Sequence, residues 1–318
     1  MLKKLKKELI GAAVSLMVSA VALSSATYAW YVTNNTVQAT TTTISATTNG
    51  FILQIANADQ GAQHGGNQMS LAASTVGGRI TPSSTNNLKT WYICQGWDST
   101  GKVTSYTKPT FSTGEGTKPG QYEAGGKTHY AYIKSEYILY TITESGLADV
   151  YLDGTGGQAI TVSIDNGKTA TSTTIPDSMR IALTTQLLDS DGKTPIGDET
   201  LRVVYAPTAV TGSGNDSQAI DGKWTYINDT QPAEVTYSHI HETTYTDQNG
   251  KNWAATKSGE DYTIAEGSEA IATDVGYNGI MLRVYIWMEG TDADCVNNAA
   301  AEDEATYSVT VKLAGVAS

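Results

Sequence analysis

Ser238-His239-Ile240-His241 alternates two imidazoles with an apolar residue. On a strand both rings would leave from one face, the beginning of a zinc pair, although no cysteine or third histidine lies near them in sequence. A strand with a solvated face is the alternative. His241-Glu242-Thr243-Thr244-Tyr245 has the glutamate that zincin chemistry uses as its base. It has tyrosine where the second ligand is needed, and its β-branched residues disfavour the helix that would hold the pair. Asp189-Ser190-Asp191-Gly192 starts like a calcium loop, yet the third oxygen ligand and the terminal glutamate are missing. Asp292 and Asp294, in a cluster with Glu289, Glu302, Asp303 and Glu304, are weak calcium candidates against the alternative of a solvated acidic loop. No Gly-x-Ser-x-Gly, phosphate loop or dinucleotide fingerprint occurs. The residues therefore predict no catalytic group, no cofactor and no enzyme. Trp91, Trp97, Trp224 and Trp253 stand near turns, where they could stack on sugar rings, so a secreted glycan-binding module or adhesin is the alternative function; burial in a core is the competing reading of those rings.

Cys94 and Cys295 are the two cysteines. In an exported protein they could pair, and closing a loop of about 200 residues would contribute several kcal/mol. Sequence does not bring their Cα atoms within bridging distance, so two buried thiols stand as the alternative.

The elements that must position these groups are strands. Of 318 residues only 16% are charged, tyrosine (18) and tryptophan (6) far outnumber phenylalanine (2), and threonine is abundant. Such side chains suit a pleated, half-exposed surface. Phe51–Ile55, Lys89–Cys94, Tyr130–Ile142, Val150–Asp153, Ile160–Ile164, Arg180–Leu188, Leu201–Tyr205, Lys223–Ile227, Gly279–Glu289 and Ala305–Leu313 each alternate or run apolar over strand length. Ile175–Met179, with Pro176 near its start, predicts one helical turn. Between strands a turn signature recurs in which Gly precedes Lys: Asp98–Lys102, Asp165–Lys168, Asp189–Lys193, Asp221–Lys223 and Asp247–Lys251. Gly supplies the positive φ of a tight hairpin, and Asp or Asn braces its own backbone. Residues from about 206 to 275 are polar and read as an insertion in the 50–318 domain. The formal charge of −12 argues against nucleic acid and anionic membrane as partners.

The first fifty residues organise the rest. Lys3, Lys4, Lys6 and Lys7 precede an uncharged apolar run from Leu9 to Leu23, then Ser24, Ser25 and Ala26. That order is an export signal, a signal helix over residues 1–29 that touches the membrane only as precursor. Thr27 and Ala29 occupy the −3 and −1 positions, so the mature chain would begin at Trp30. A retained anchor is the alternative, and the short run only marginally spans a bilayer. Residues 30–49 are extended and β-branched, with Trp30, Val32, Val37 and Ile44 as isolated apolar anchors.

Ser25-Ala26-Thr27-Tyr28-Ala29-Trp30-Tyr31-Val32-Thr33 resembles the junction of Gram-positive exported proteins processed by a SipW-type signal peptidase, among them the TasA/camelysin family. Ile286-Trp287-Met288-Glu289-Gly290-Thr291-Asp292-Ala293-Asp294-Cys295, followed by Tyr307–Leu313, is similar to the ending of that family. Tyr132-Ile133-Lys134 with Ala148–Asp153 resembles its paired central strands. The resemblance implies an all-β protein, a jelly-roll-like antiparallel β-sandwich. It further implies a secreted structural subunit of an extracellular fibre, biofilm matrix or surface layer. The partners implied are other copies of the chain, as a homopolymer, with accessory matrix proteins and the signal peptidase. Residues 30–49 would be the donor strand, against the alternative that this strand pairs within its own sandwich. Camelysin-like proteins often carry a metalloprotease label, which the missing second histidine does not support. Ala314–Ser318 shows no sortase motif, so covalent wall anchoring is not expected.

Overall fold

The computed structural model describes residues 36–43, 47–48, 51–64, 71–73, 80–142, 144–165, 174–207, 219–241, 244–259, 261–295 and 306–318. The expected signal segment 1–29 lies outside these residues, as do Trp30, Val32 and Ile44. The architecture is an all-β sandwich.

Its main sheet has seven strands, in the order His239–Ile240, Pro195–Tyr205, Met179–Leu188, Ile280–Met288, Ile133–Thr141, Phe51–Asn57 and Thr47–Thr48. Every pairing in it is antiparallel except that of His239–Ile240 with Pro195–Tyr205. Ile280–Met288 sits at the centre and is buried along its whole length. With a side-chain period of two, Ile280, Leu282, Val284, Ile286 and Met288 enter the large core, and Arg283, Tyr285 and Trp287 leave from the opposite face. A strand covered on both faces needs a continuous apolar run, which is what this segment supplies. Gly279, at its start, has φ +81°, and a Cβ there would lie 2.6 Å from the carbonyl oxygen of Leu139.

The second layer consists of two groups of strands. In one, Thr306–Val311 lies between Ile160–Asp165 and Thr36–Thr43, and Leu71–Ala73 borders the latter. In the other, Ala148–Asp153 pairs with Ala254–Ser258, Ala272–Val275 and Leu313–Ala317. Val150, Leu152, Val309, Val311 and Leu313 of this layer meet Leu53, Ile55, Leu139, Leu183 and Val203 of the main sheet in one core. Each such aliphatic side chain, fully buried, contributes about 1.5–3 kcal/mol.

The outer face of the main sheet is covered too. Ser83–Ser84, Tyr92–Trp97 and Val103–Thr107 form a small sheet over it. Trp91 stacks on Tyr132 at 4.2 Å and meets Trp287 edge-on at 5.6 Å. The described residues between 206 and 275 contribute to both layers. The hairpin Thr225–Asn228/Gln231–Glu234 packs near Trp287 through Tyr226, His239–Ile240 borders the main sheet, and Ala254–Ser258 joins the second layer. The predicted helical turn is present as Thr174–Ser178.

The strand Thr36–Thr43 holds Val37 and occupies an interior place in its sheet. It runs parallel to Thr306–Val311, with Val37 opposite Tyr307 and Ala39 opposite Val309, and antiparallel to Leu71–Ala73. This is pairing within the chain.

Candidate functional site

The motif that closes the central strand folds into the interior. Glu289 donates its amide to Ser178 O at 2.8 Å, and Gly290 donates to Ser83 O at 2.8 Å. Two turns follow, from Asp292 N to Glu289 O and from Cys295 N to Asp292 O, each at 3.2 Å. They turn the carboxylates of Glu289 and Asp292 inward, where both residues are buried. Arg180, the cross-strand partner of Trp287, is wholly buried beside them.

Arg180 is the hub. Its Nη2 donates to Asp292 Oδ2 at 2.5 Å, and its Nη1 to Met179 O at 2.9 Å and Asp177 O at 3.3 Å. Nε donates to the Tyr226 hydroxyl at 3.2 Å, and that hydroxyl lies 2.9 Å from His239 Nε2. Tyr237 O can only accept, so His239 Nδ1 carries the ring proton and donates to it at 2.9 Å. In the neutral ring Nε2 is then the acceptor, and the Tyr226 hydroxyl donates to it. Burial pushes His239 down to about 3, with Arg180 acting in the same sense, so the ring is neutral at any ordinary pH. Burial alone would make Arg180 easier to deprotonate, but Asp292 and its other partners outweigh that and hold it charged.

Glu289 forms the second part of the centre. Its Oε2 accepts Trp287 Nε1–H at 2.7 Å, and its Oε1 accepts the amide and hydroxyl of Thr291 at 3.1 and 2.9 Å. Ser84 adds a hydroxyl donor and itself accepts the amide of Ile227 at 2.9 Å. Burial pushes Glu289 up to about 7 against the pull of these donors and Arg180. One connected polar centre thus ties residues 177–180, the hairpin at 225–227, the edge strand at 239 and the motif loop 287–292. A buried network of this kind specifies one arrangement of the segments it joins, because each unmade bond would leave a desolvated polar group.

This geometry bears on several alternatives that the sequence left open. The zinc pair is not assembled: both nitrogens of His239 are engaged, and His239 and His241 only share the lining of a cleft of about 420 Å³ with Trp224, Asp247 and Gln248. Asp292 is not placed as a calcium ligand, since one oxygen is held by Arg180 and the other accepts the Asp294 amide at 2.8 Å. Asp294 stands in that same turn, and Glu302, Asp303 and Glu304 lie outside the described residues. Asp191 spends its oxygens on Lys193 N, Thr194 N and the Thr194 hydroxyl, so this loop is a braced turn. Trp91, Trp224 and Trp253 are buried, Trp224 beneath a stacked His239 ring at 4.3 Å, which removes three of the four proposed sugar platforms. Cys94 and Cys295 are both buried, and their sulfurs are not bonded to each other in this structure. Among the described residues no group of three His, Cys, Asp or Glu side chains is placed to hold a metal ion.

Sequence reasoning missed Arg180, Tyr226 and Glu289 as members of one centre. Arg180 carried the single usable signal, a charge at the start of an otherwise uncharged strand. Comparison with protein-family models, with curated proteins and with solved structures returns no match. Fold and site together define an all-β sandwich whose motif loop is locked inward by a buried arginine.

Proposed function

We propose that this chain is a secreted structural subunit of an extracellular fibre, biofilm matrix or surface layer, exported through its N-terminal signal and assembling by β-strand exchange. One observation carries the reading. The strand Thr36–Thr43 fills an interior slot between Thr306–Val311 and Leu71–Ala73, yet it lies just beyond the expected cleavage site at Ala29. A strand so placed can be supplied by a second copy with the same register, and main-chain hydrogen bonds give such an addition its affinity. The buried centre suits a load-bearing subunit, because it fixes the motif loop at the end of the central strand. Burial of Trp91, Trp224 and Trp253 counts against the glycan-binding alternative.

The test compares the mature chain with one lacking Trp30–Thr43. Filaments in negative-stain images of the first and a soluble, folded monomer from the second support strand exchange. Filaments of normal length from the shortened chain refute it. A monodisperse mature chain that binds glycans would favour the alternative.

A further inference from the structure

The chain has two cysteines, and folding brings both to one place. Cys94 lies in Tyr92–Trp97, opposite Tyr106 on the neighbouring strand, and its amide donates to Pro82 O at 2.9 Å. The next carbonyl, that of Ser83, accepts the amide of Gly290, so the strand of Cys94 and the motif loop flank the same stretch of backbone. Tyr106 reaches across to that loop: a Cβ built on Gly290 would come within 2.9 Å of its hydroxyl and 3.0 Å of its Cε1. The turn from Asp292 then returns Cys295 to the same neighbourhood. Cys94 and Cys295 are 5% and 3% exposed. Tyr106 is raised by burial, by Glu289 and by both sulfurs, and Cys295 is raised by burial and then by Cys94, as mutual proximity requires.

We propose that Cys94 and Cys295 are joined in the exported protein by a disulfide that staples the strand Tyr92–Trp97 to the motif loop following Trp287. The proposal rests on the exported location but not on fibre assembly. Each thiol gives up its proton, and the two sulfurs pass two electrons to the disulfide of an extracellular oxidant, which leaves as two thiols. Thiolates are disfavoured in this buried, carboxylate-lined site, so the exchange runs while the loop is still open to solvent. The bond links the cover of the outer face directly to the end of the central strand, beside the Glu289 and Arg180 contacts that hold the same loop without covalent help.

The mature chain, refolded in a mixture of oxidised and reduced glutathione, decides the matter. Alkylation under denaturing, non-reducing conditions should leave both cysteines unmodified. The intact mass should be lower by two hydrogens than that of the reduced protein, with one cross-linked peptide containing both residues. Reduction should lower the melting temperature of the wild type and leave Cys94→Ser and Cys295→Ser unmoved. Stoichiometric alkylation of both thiols, or a wild-type melting temperature indifferent to reductant, overturns the staple. Filaments play no part in these readouts, so the fibre reading can fail while this one stands.

Discussion

Asp292→Asn probes the buried centre most directly. Asparagine keeps the shape of the side chain and an oxygen able to accept from Arg180 or Asp294, so the change is electrostatic. Among the acceptors that remain to Arg180, wholly buried, are the neutral Met179 O, Asp177 O and Tyr226 hydroxyl. Breaking a buried ion pair from one side costs about 3–5 kcal/mol. Glu289, the other carboxylate in the field of Arg180, makes that cost depend on pH. Its folded value is raised to about 7 from 4.5. The folded state therefore keeps a proton that the unfolded chain releases between these values. Wild-type stability should fall as pH rises through this window, by about 3 kcal/mol across it. Near pH 5, well below its folded value, Glu289 in the folded state is neutral and gives Arg180 no countercharge, so Asp292→Asn should show its full penalty there. Above the window the ionised Glu289 replaces the lost charge, and the penalty should shrink by about pH 8. Urea unfolding at both pH values, followed by the emission of Trp287 and its neighbours, reads this out. A penalty under about 1 kcal/mol near pH 5, the size of an exposed pair, would refute the argument, as would one that grows with pH.

Tyr226→Phe removes the hydroxyl that links Arg180 Nε to His239 Nε2 and should cost about 1–3 kcal/mol in the same unfolding assay. Gly279→Ala combines a positive φ with a Cβ 2.6 Å from a backbone oxygen; it should lower stability by more than about 1 kcal/mol, measured as a fall in melting temperature. Ala29→Lys should leave a larger membrane-bound precursor, whereas an intact Met1 terminus on protein in the medium would show that no cleavage occurs there.

Local chemistry made much of the fold legible. Largely apolar runs in Gly279–Glu289 and Arg180–Leu188 gave strands that the structure extends or trims by a residue or two, Ile280–Met288 and Met179–Leu188. The Gly-Lys turns were legible for the same reason: Gly101, Gly192, Gly222 and Gly250 all have positive φ, and Asp98, Asp191 and Asp247 brace the backbone beyond them. Tyr130–Ile142 read as one strand because it alternates or runs apolar over its length. The chain actually ends a hairpin at Tyr130 and starts a new strand at Ile133. The polar centre was not legible. Arg180 and Asp292 are joined only by the pairing of distant strands, and Tyr226 meets His239 only through the hairpin that lies between them in sequence. No residue spacing encodes such contacts, and the apparent ligand patterns at His239/His241 and Asp292/Asp294 were backbone and ion-pair chemistry.

The central claim is that the strand Thr36–Thr43 can pass from one copy to the next, and the register supplies its most direct measurement. Ala39 lies opposite Val309. In chains whose native cysteines are replaced by serine, one population carries Ala39→Cys and the other Val309→Cys. The two are mixed under assembly conditions and oxidised. Strand exchange should yield a covalent dimer joining residue 39 of one copy to residue 309 of another, identified by its cross-linked peptide. Absence of that dimer from assembled material, with the bond forming readily inside a chain that carries both substitutions, would contradict the claim.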